Sequence, residues 1–175
     1  MNILVLEDSH PEPAIEAVQN VSEVAVRKAT TLAEALSFLK KGEVDGAIFD
    51  IFVPLGETED PFTRKYRQNM LRAVKSQRHA SRLTCTLHEY VEPLRRAMLP
   101  RARERPFGVV AAEKADENGV PFVLATSVDH HDQGAVGKIC VYQRMKGWPE
   151  MIDRMDKSDP ENWEPAVDRL MELIH

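Results

Sequence analysis

The first third of the chain alternates between short apolar runs and segments with a one-sided apolar stripe. Asn2 to Leu6 (NILVL) is an apolar run that stops at Glu7-Asp8-Ser9. Such a run predicts a strand buried on both faces. After His10-Pro11-Glu12-Pro13, the residues Ile15, Val18 and Val21 recur at helical spacing, and proline and acids suit a first helical turn. Val24-Ala25-Val26 predicts a second strand. Thr30-Thr31 can cap a second helix whose buried face is Leu32, Ala35, Leu36 and Leu39. Lys40-Lys41-Gly42 stops it, with cations on the negative end of the dipole and glycine just past the last turn.

The next apolar run, Asp45 to Pro54 (DGAIFDIFVP), carries one carboxylate in its middle. A charge left in such a core costs several kcal/mol unless it sits at an open end or has a partner. Asp50 is therefore placed at the carboxyl end of a third strand, where open α/β sheets bind their ligands. The plainer reading makes it an aspartate that starts the turn before Pro54. Strand, helix, strand, helix, strand predicts right-handed crossovers and a parallel sheet.

The stretch ILVLEDS, followed by TTLAEALSFLKKGEVDGAIFDIFVP, resembles the receiver domain of two-component response regulators. Glu7 and Asp8, the strand-ending Asp50 and Pro54 fall where that family has its acidic pair, its phosphoacceptor and its proline. The resemblance implies a CheY-like, flavodoxin-like fold: a doubly wound, parallel, five-stranded sheet of order 2-1-3-4-5. The first and third strands are then neighbours, so the three carboxylates converge.

Residues 57–105 depart from that pattern and read as a helical insertion after the third strand of one domain spanning residues 1–175. Asp60-Pro61 is a good helix start. Phe62, Tyr66, Met70 and Val74 form one stripe, and Leu83, Leu87, Tyr90 or Val91, and Leu94 another. The segment is one long helix or a hairpin turning near Ser76–Ser81. The receiver pattern resumes at Phe107, with a third helix from Gly108 to Asn118 and a fourth strand from Val120 to Ala125. Thr126 matches the family's hydroxyl position. His130-His131, between Asp129 and Asp132, reads as a polar loop rather than a metal site. Lys138 to Tyr142 (KICVY) predicts the fifth strand, which leaves the fourth helix reduced to a turn or lost. Lys146 is then the nearest candidate for the family's lysine. Asp159 caps a last helix, Pro160 to Ile174, whose regular part starts near Pro165.

Charge changes the picture in one respect. The chain has 175 residues and a net charge of −5. Residues 63–105 hold twelve Lys/Arg against three Glu, a local charge of +9, which leaves −14 for the rest. Such a face is a solvated surface, a docking surface for a protein partner over residues 60–105, or a seam for a homodimer. Nucleic-acid binding is disfavoured, because no reading element accompanies the basic stripe. No run approaches the length of a membrane span. Cys85 and Cys140 have no paired spacing and suit reduced thiols in a cytoplasmic protein.

The resemblance further implies magnesium held by Glu7, Asp8, Asp50 and the backbone carbonyl of Phe52. It implies phosphorylation of Asp50 by a sensor histidine kinase or another phosphodonor, with Thr126 and Lys146 binding phosphoryl oxygens. An arginine from the basic insertion could replace the lysine, since guanidinium matches phosphate well. The protein is thus expected to be a stand-alone switch of protein–protein contacts, with autophosphatase activity at most and no attached effector domain. The alternative is a pseudo-receiver that binds through its insertion without phosphorylation.

Overall fold

The computed structural model describes residues 1–54, 106–127, 135–153 and 155–175. The basic helical insertion expected over 57–105, with its two apolar stripes, lies outside the described residues, as does the His130-His131 loop.

Four strands form one parallel sheet: β1 (Asn2–Leu6), β2 (Ala25–Ala29), β3 (Gly46–Asp50) and β4 (Phe122–Ala125), in the order β2-β1-β3-β4. Side chains leave a strand alternately to its two faces, and β1 divides its residues that way. Leu4 and Leu6 join Ala47, Phe49 and Leu124 beneath α2 (Leu32–Lys41) and α3 (Phe107–Glu117). Ile3 and Val5 join Ile48 and Val123 beneath α1 (Pro11–Gln19) and α5 (Glu164–Ile174). Helices therefore cover both faces, and the residues of β3 are all buried. Full burial of one such aliphatic side chain stabilises by about 1.5–3 kcal/mol. β2 is the edge, and its exposed Arg27 and Lys28 discourage further pairing.

Local signals act as expected around α2. Thr31 accepts from the Glu34 backbone N–H, and the Glu34 carboxylate accepts from the Thr31 N–H in return. This reciprocal cap satisfies donors that a helix start leaves open. Asp159 accepts from the Glu161 N–H, and a 3₁₀ turn over Pro160–Trp163 precedes α5. Pro165 then falls in the first turn of α5, where its missing N–H costs nothing.

The second half corrects two expectations. Lys138 to Tyr142 is not a strand but part of α4 (Ala135–Lys146), so the fourth helix is present at twelve residues. Ile139, Cys140 and Gln143 are buried together, at the spacing of one helical face. The chain reaches the outer edge of β4 only afterwards. There Ile152 forms a single parallel bridge with Ala125, with Thr126 N–H donating to the Ile152 carbonyl at 2.9 Å and Ile152 N–H to that of Leu124 at 2.9 Å. Among the described residues no helix is long and apolar enough to cross a membrane.

Candidate functional site

Three carboxylates meet at the carboxyl ends of β1 and β3. β1 and β3 are paired directly, which brings the residues after Leu6 beside those ending β3. Glu7, Asp8 and Asp50 each offer one oxygen, and these atoms all lie within 4.8 Å of one another. Glu7 is completely buried, Asp50 is 3% exposed and Asp8 faces solvent.

The two buried acids are held differently. Glu7 Oε1 accepts from the backbone N–H groups of Ser9 and His10, at 3.0 and 3.1 Å, in the turn that enters α1. His10 gives that helix no side-chain cap, and the carboxylate instead satisfies the N–H groups of the two residues that lead into it. Glu7 Oε2 accepts from Lys157 Nζ at 2.8 Å. Asp50 receives the Phe52 backbone N–H. Lys157 Nζ is also 2.6 Å from Asp50 Oδ1, but off the direction of a hydrogen bond, so this buried oxygen accepts no aligned donor. Burial, and to a lesser degree the neighbouring Glu7, push the Asp50 carboxyl up to about 7 against the pull of Lys157.

Among the described residues Lys157 is the cation beside Glu7 and Asp50, a place for which the sequence pattern offers Lys146. The loop of Lys157 is fixed from both sides. The Lys157 carbonyl accepts from the indole N–H of the fully buried Trp163 at 3.2 Å. Asp156 accepts from the Ser158 N–H and hydroxyl, at 3.1 and 2.6 Å, and closes the turn. The signal for this residue was the Asp159-Pro160 helix start just beyond it. With Lys138 to Tyr142 in a helix rather than the fifth strand, the lysine that follows the outer edge of the sheet lies one element later than the sequence pattern predicts.

Lys146 ends α4 elsewhere. Its Nζ lies 3.0 Å from Glu113 Oε2 on α3 and 3.8 Å from Asp116, and Glu113 also accepts from the Tyr142 hydroxyl. It does not line the cleft over Asp50. That cleft, of about 470 Å³, is lined by Asp8, Asp50, Phe52, Ser127 and Lys157, with Ser9, His10 and residues 155, 156 and 158 around them. Thr126 is buried at the end of β4, its backbone tied to Ile152 and Met155, and the next residue, Ser127, lines the cleft together with Ser9 and Ser158.

Gly108 sets the floor. Its N–H donates to the Ile51 carbonyl at 3.0 Å, and a Cβ there would collide with the carbonyl of Asp50. The start of α3 thus packs directly on the backbone that carries the central carboxylate.

Chemically the cluster suits a hard cation. Oxygen-only ligands on a partly solvated rim match the preferences of magnesium or calcium. A buried carboxylate oxygen without an aligned donor is the kind of atom such an ion would engage. No protein-family model matches the chain, and no curated protein matches it.

Proposed function

We propose that the chain is a receiver-type phosphoryl switch with Asp50 as acceptor. The observation that carries this reading is the environment of Asp50. It sits at a strand's carboxyl end, opens onto a cleft, contacts a fixed lysine and has two further carboxylates within ligand reach. The four-stranded core then belongs to a flavodoxin-like sheet, with the Ile152 segment in the place of the fifth strand.

In this reading Glu7, Asp8 and Asp50 hold magnesium, with Phe52 adding a backbone oxygen. When bound, the ion neutralises charge on the incoming phosphoryl group. An Asp50 carboxylate oxygen attacks phosphorus, the bond from phosphorus to the donor's leaving group breaks, and an acyl phosphate forms. Lys157 gives up part of its contact with Asp50 and pairs with a phosphoryl oxygen. The Ser127 hydroxyl and the backbone N–H groups around the cleft supply further donors, with Thr126 behind them. A sensor kinase or a small acyl phosphate serves as donor, and the output is a changed surface for a protein partner. The basic segment over 60–105 is the natural candidate for that surface, in a monomer or a homodimer.

A second reading rests on the same lysine. Lys157 already compensates Glu7 and Asp50, as a pseudo-receiver without metal or phosphate would require. Intact-protein mass spectrometry after incubation with magnesium and acetyl phosphate separates the two. A phosphoryl adduct on the wild type that is lost in Asp50→Asn supports the switch. No adduct, together with no magnesium binding, supports the scaffold.

A further inference from the structure

The lysine beside Asp50 is held through its backbone as well as through its ammonium. Two peptide planes flank the Cα of Lys157, and each is tied to a neighbouring side chain. The Asp156 carbonyl, in the plane before Lys157, accepts from Asn162 Nδ2 at 3.2 Å. The Lys157 carbonyl, in the plane after it, accepts from Trp163 Nε1 at 3.2 Å. The N–H of that second plane belongs to Ser158 and donates to Asp156 Oδ1 at 3.1 Å. A residue has only two soft backbone dihedrals, so holding both planes fixes those of Lys157. The direction in which its side chain leaves the chain is fixed with them.

The 3₁₀ turn that carries Asn162 and Trp163 is itself rooted. Trp163 is fully buried and shares one core cluster with Ala14 and Val18 of α1 and with Val167 and Leu170 of α5. The Asn162 N–H donates to the Asp159 carbonyl at 3.2 Å, inside the turn that Asp159 caps. On the other side of the lysine, the Met155 N–H donates to the Thr126 carbonyl at 3.2 Å and ties the loop to the end of β4. Placement matters for this residue. An ammonium is a point charge on a flexible stem, so where it lands depends on where the stem starts. Here it meets Glu7 Oε2 and Asp50 Oδ1 at once, 2.8 and 2.6 Å away. A misplacement of about 1 Å in a reacting constellation can cost about a hundredfold in rate.

We propose that Asn162 and Trp163 are positioning residues for phosphoryl transfer, acting through Lys157. This rests on the reading of Asp50 as the phosphoryl acceptor. Neither side chain lines the cleft, so each reaches the phosphoryl group only by way of the lysine. As the acyl phosphate forms, the ammonium passes from an Asp50 oxygen to a phosphoryl oxygen. With both flanking planes held, that passage is confined to the side chain, and the loop needs no rearrangement.

The test follows adduct formation on the full chain with acetyl phosphate and magnesium, by intact-protein mass spectrometry below the melting point of each variant. Trp163→Phe keeps an aromatic ring in the core and removes its donor. Asn162→Ala removes the other donor from an exposed position. Each should slow the adduct about twofold to tenfold, the range that one neutral hydrogen bond spans. Magnesium affinity, read by calorimetry, should not weaken in either, since Glu7, Asp8 and Asp50 are unchanged. In Lys157→Met the same substitutions should cost no further rate, as a double-mutant cycle requires of groups that act through one residue. The proposal is overturned by an undiminished rate in either variant, by a magnesium affinity that falls in step with the rate, or by an equal loss once Lys157 is gone. Should Trp163→Phe fail to fold, Asn162→Ala and its Lys157→Met counterpart decide alone. No adduct on the wild type removes the phosphoryl reading and this proposal with it, whereas a wild-type adduct that both variants form as fast removes the positioning role alone.

Discussion

Lys157 Nζ stands 2.6 Å from Asp50 Oδ1, and the same ammonium is 2.8 Å from Glu7 Oε2. One cation thus compensates two acids at the carboxyl ends of different strands, each more than a hundred residues from it in sequence. Removing one member of a buried ionic group leaves the others uncompensated, which typically costs about 3–5 kcal/mol. Lys157→Met should therefore lower the thermal midpoint clearly in metal-free buffer. Magnesium should recover part of the loss, because a divalent ion can take over the compensation. Calorimetry with EDTA and with magnesium reads both effects, and a variant as stable as wild type would contradict the arrangement.

The raised carboxyl of Asp50 gives the metal-free protein a characteristic pH dependence. Its folded value is about 7 against an ordinary 3.8. Between these values the folded state holds a proton that the unfolded chain has released, so stability falls as pH rises and levels off above about 7. The full effect is on the order of 4 kcal/mol at 1.36 kcal/mol per pH unit. Denaturant melts at pH 5 and pH 8 should show the decline in wild type, and Asp50→Asn should flatten it. A wild-type curve that rises over this range would refute the assignment.

Gly108 is where core packing and site chemistry meet. The collision of an added methyl with the Asp50 carbonyl leaves no room for relaxation by a flexible side chain. Gly108→Ala should destabilise by about 1–3 kcal/mol and displace Asp50, so metal affinity should fall along with stability. Val109→Ala, one residue on and equally buried, should lower stability with far less effect on the metal.

Much of this site was legible because it depends on strand ends. Glu7 and Asp8 follow the apolar run NILVL, and Asp50 lies inside the run DGAIFDIFVP. The crossovers predict parallel strands, and the resemblance to receivers implies that β1 and β3 are neighbours. The capping of α2 was equally plain, since Thr31 and Glu34 stand at fixed spacing. The second half was harder for a physical reason. Val, Ile, Cys and Tyr in KICVY favour strands, and a run this short has no decisive period. The stronger signal was the basic last turn followed by Gly147, which marks a helix end. Reading that helix as a strand moved the lysine search to Lys146, whereas the ammonium beside Asp50 arrives from a loop after the bridge at Ile152.

The two lysines supply the sharpest comparison. Lys146 ties α4 to α3 through Glu113, with its Nζ 5.5 Å from the Trp148 ring centre, in a partly exposed pair. Such a pair contributes at most about 1 kcal/mol. Lys146→Met should therefore melt slightly earlier and still accept a phosphoryl group on Asp50 at the wild-type rate. Lys157→Met should form the adduct at least about tenfold more slowly, because 1.4 kcal/mol of lost charge stabilisation already costs that factor. Time courses of adduct mass with acetyl phosphate and magnesium, taken well below both melting points, separate these outcomes. The reverse ranking would return the catalytic lysine to α4 and make the contact between Lys157 and Asp50 a purely structural one.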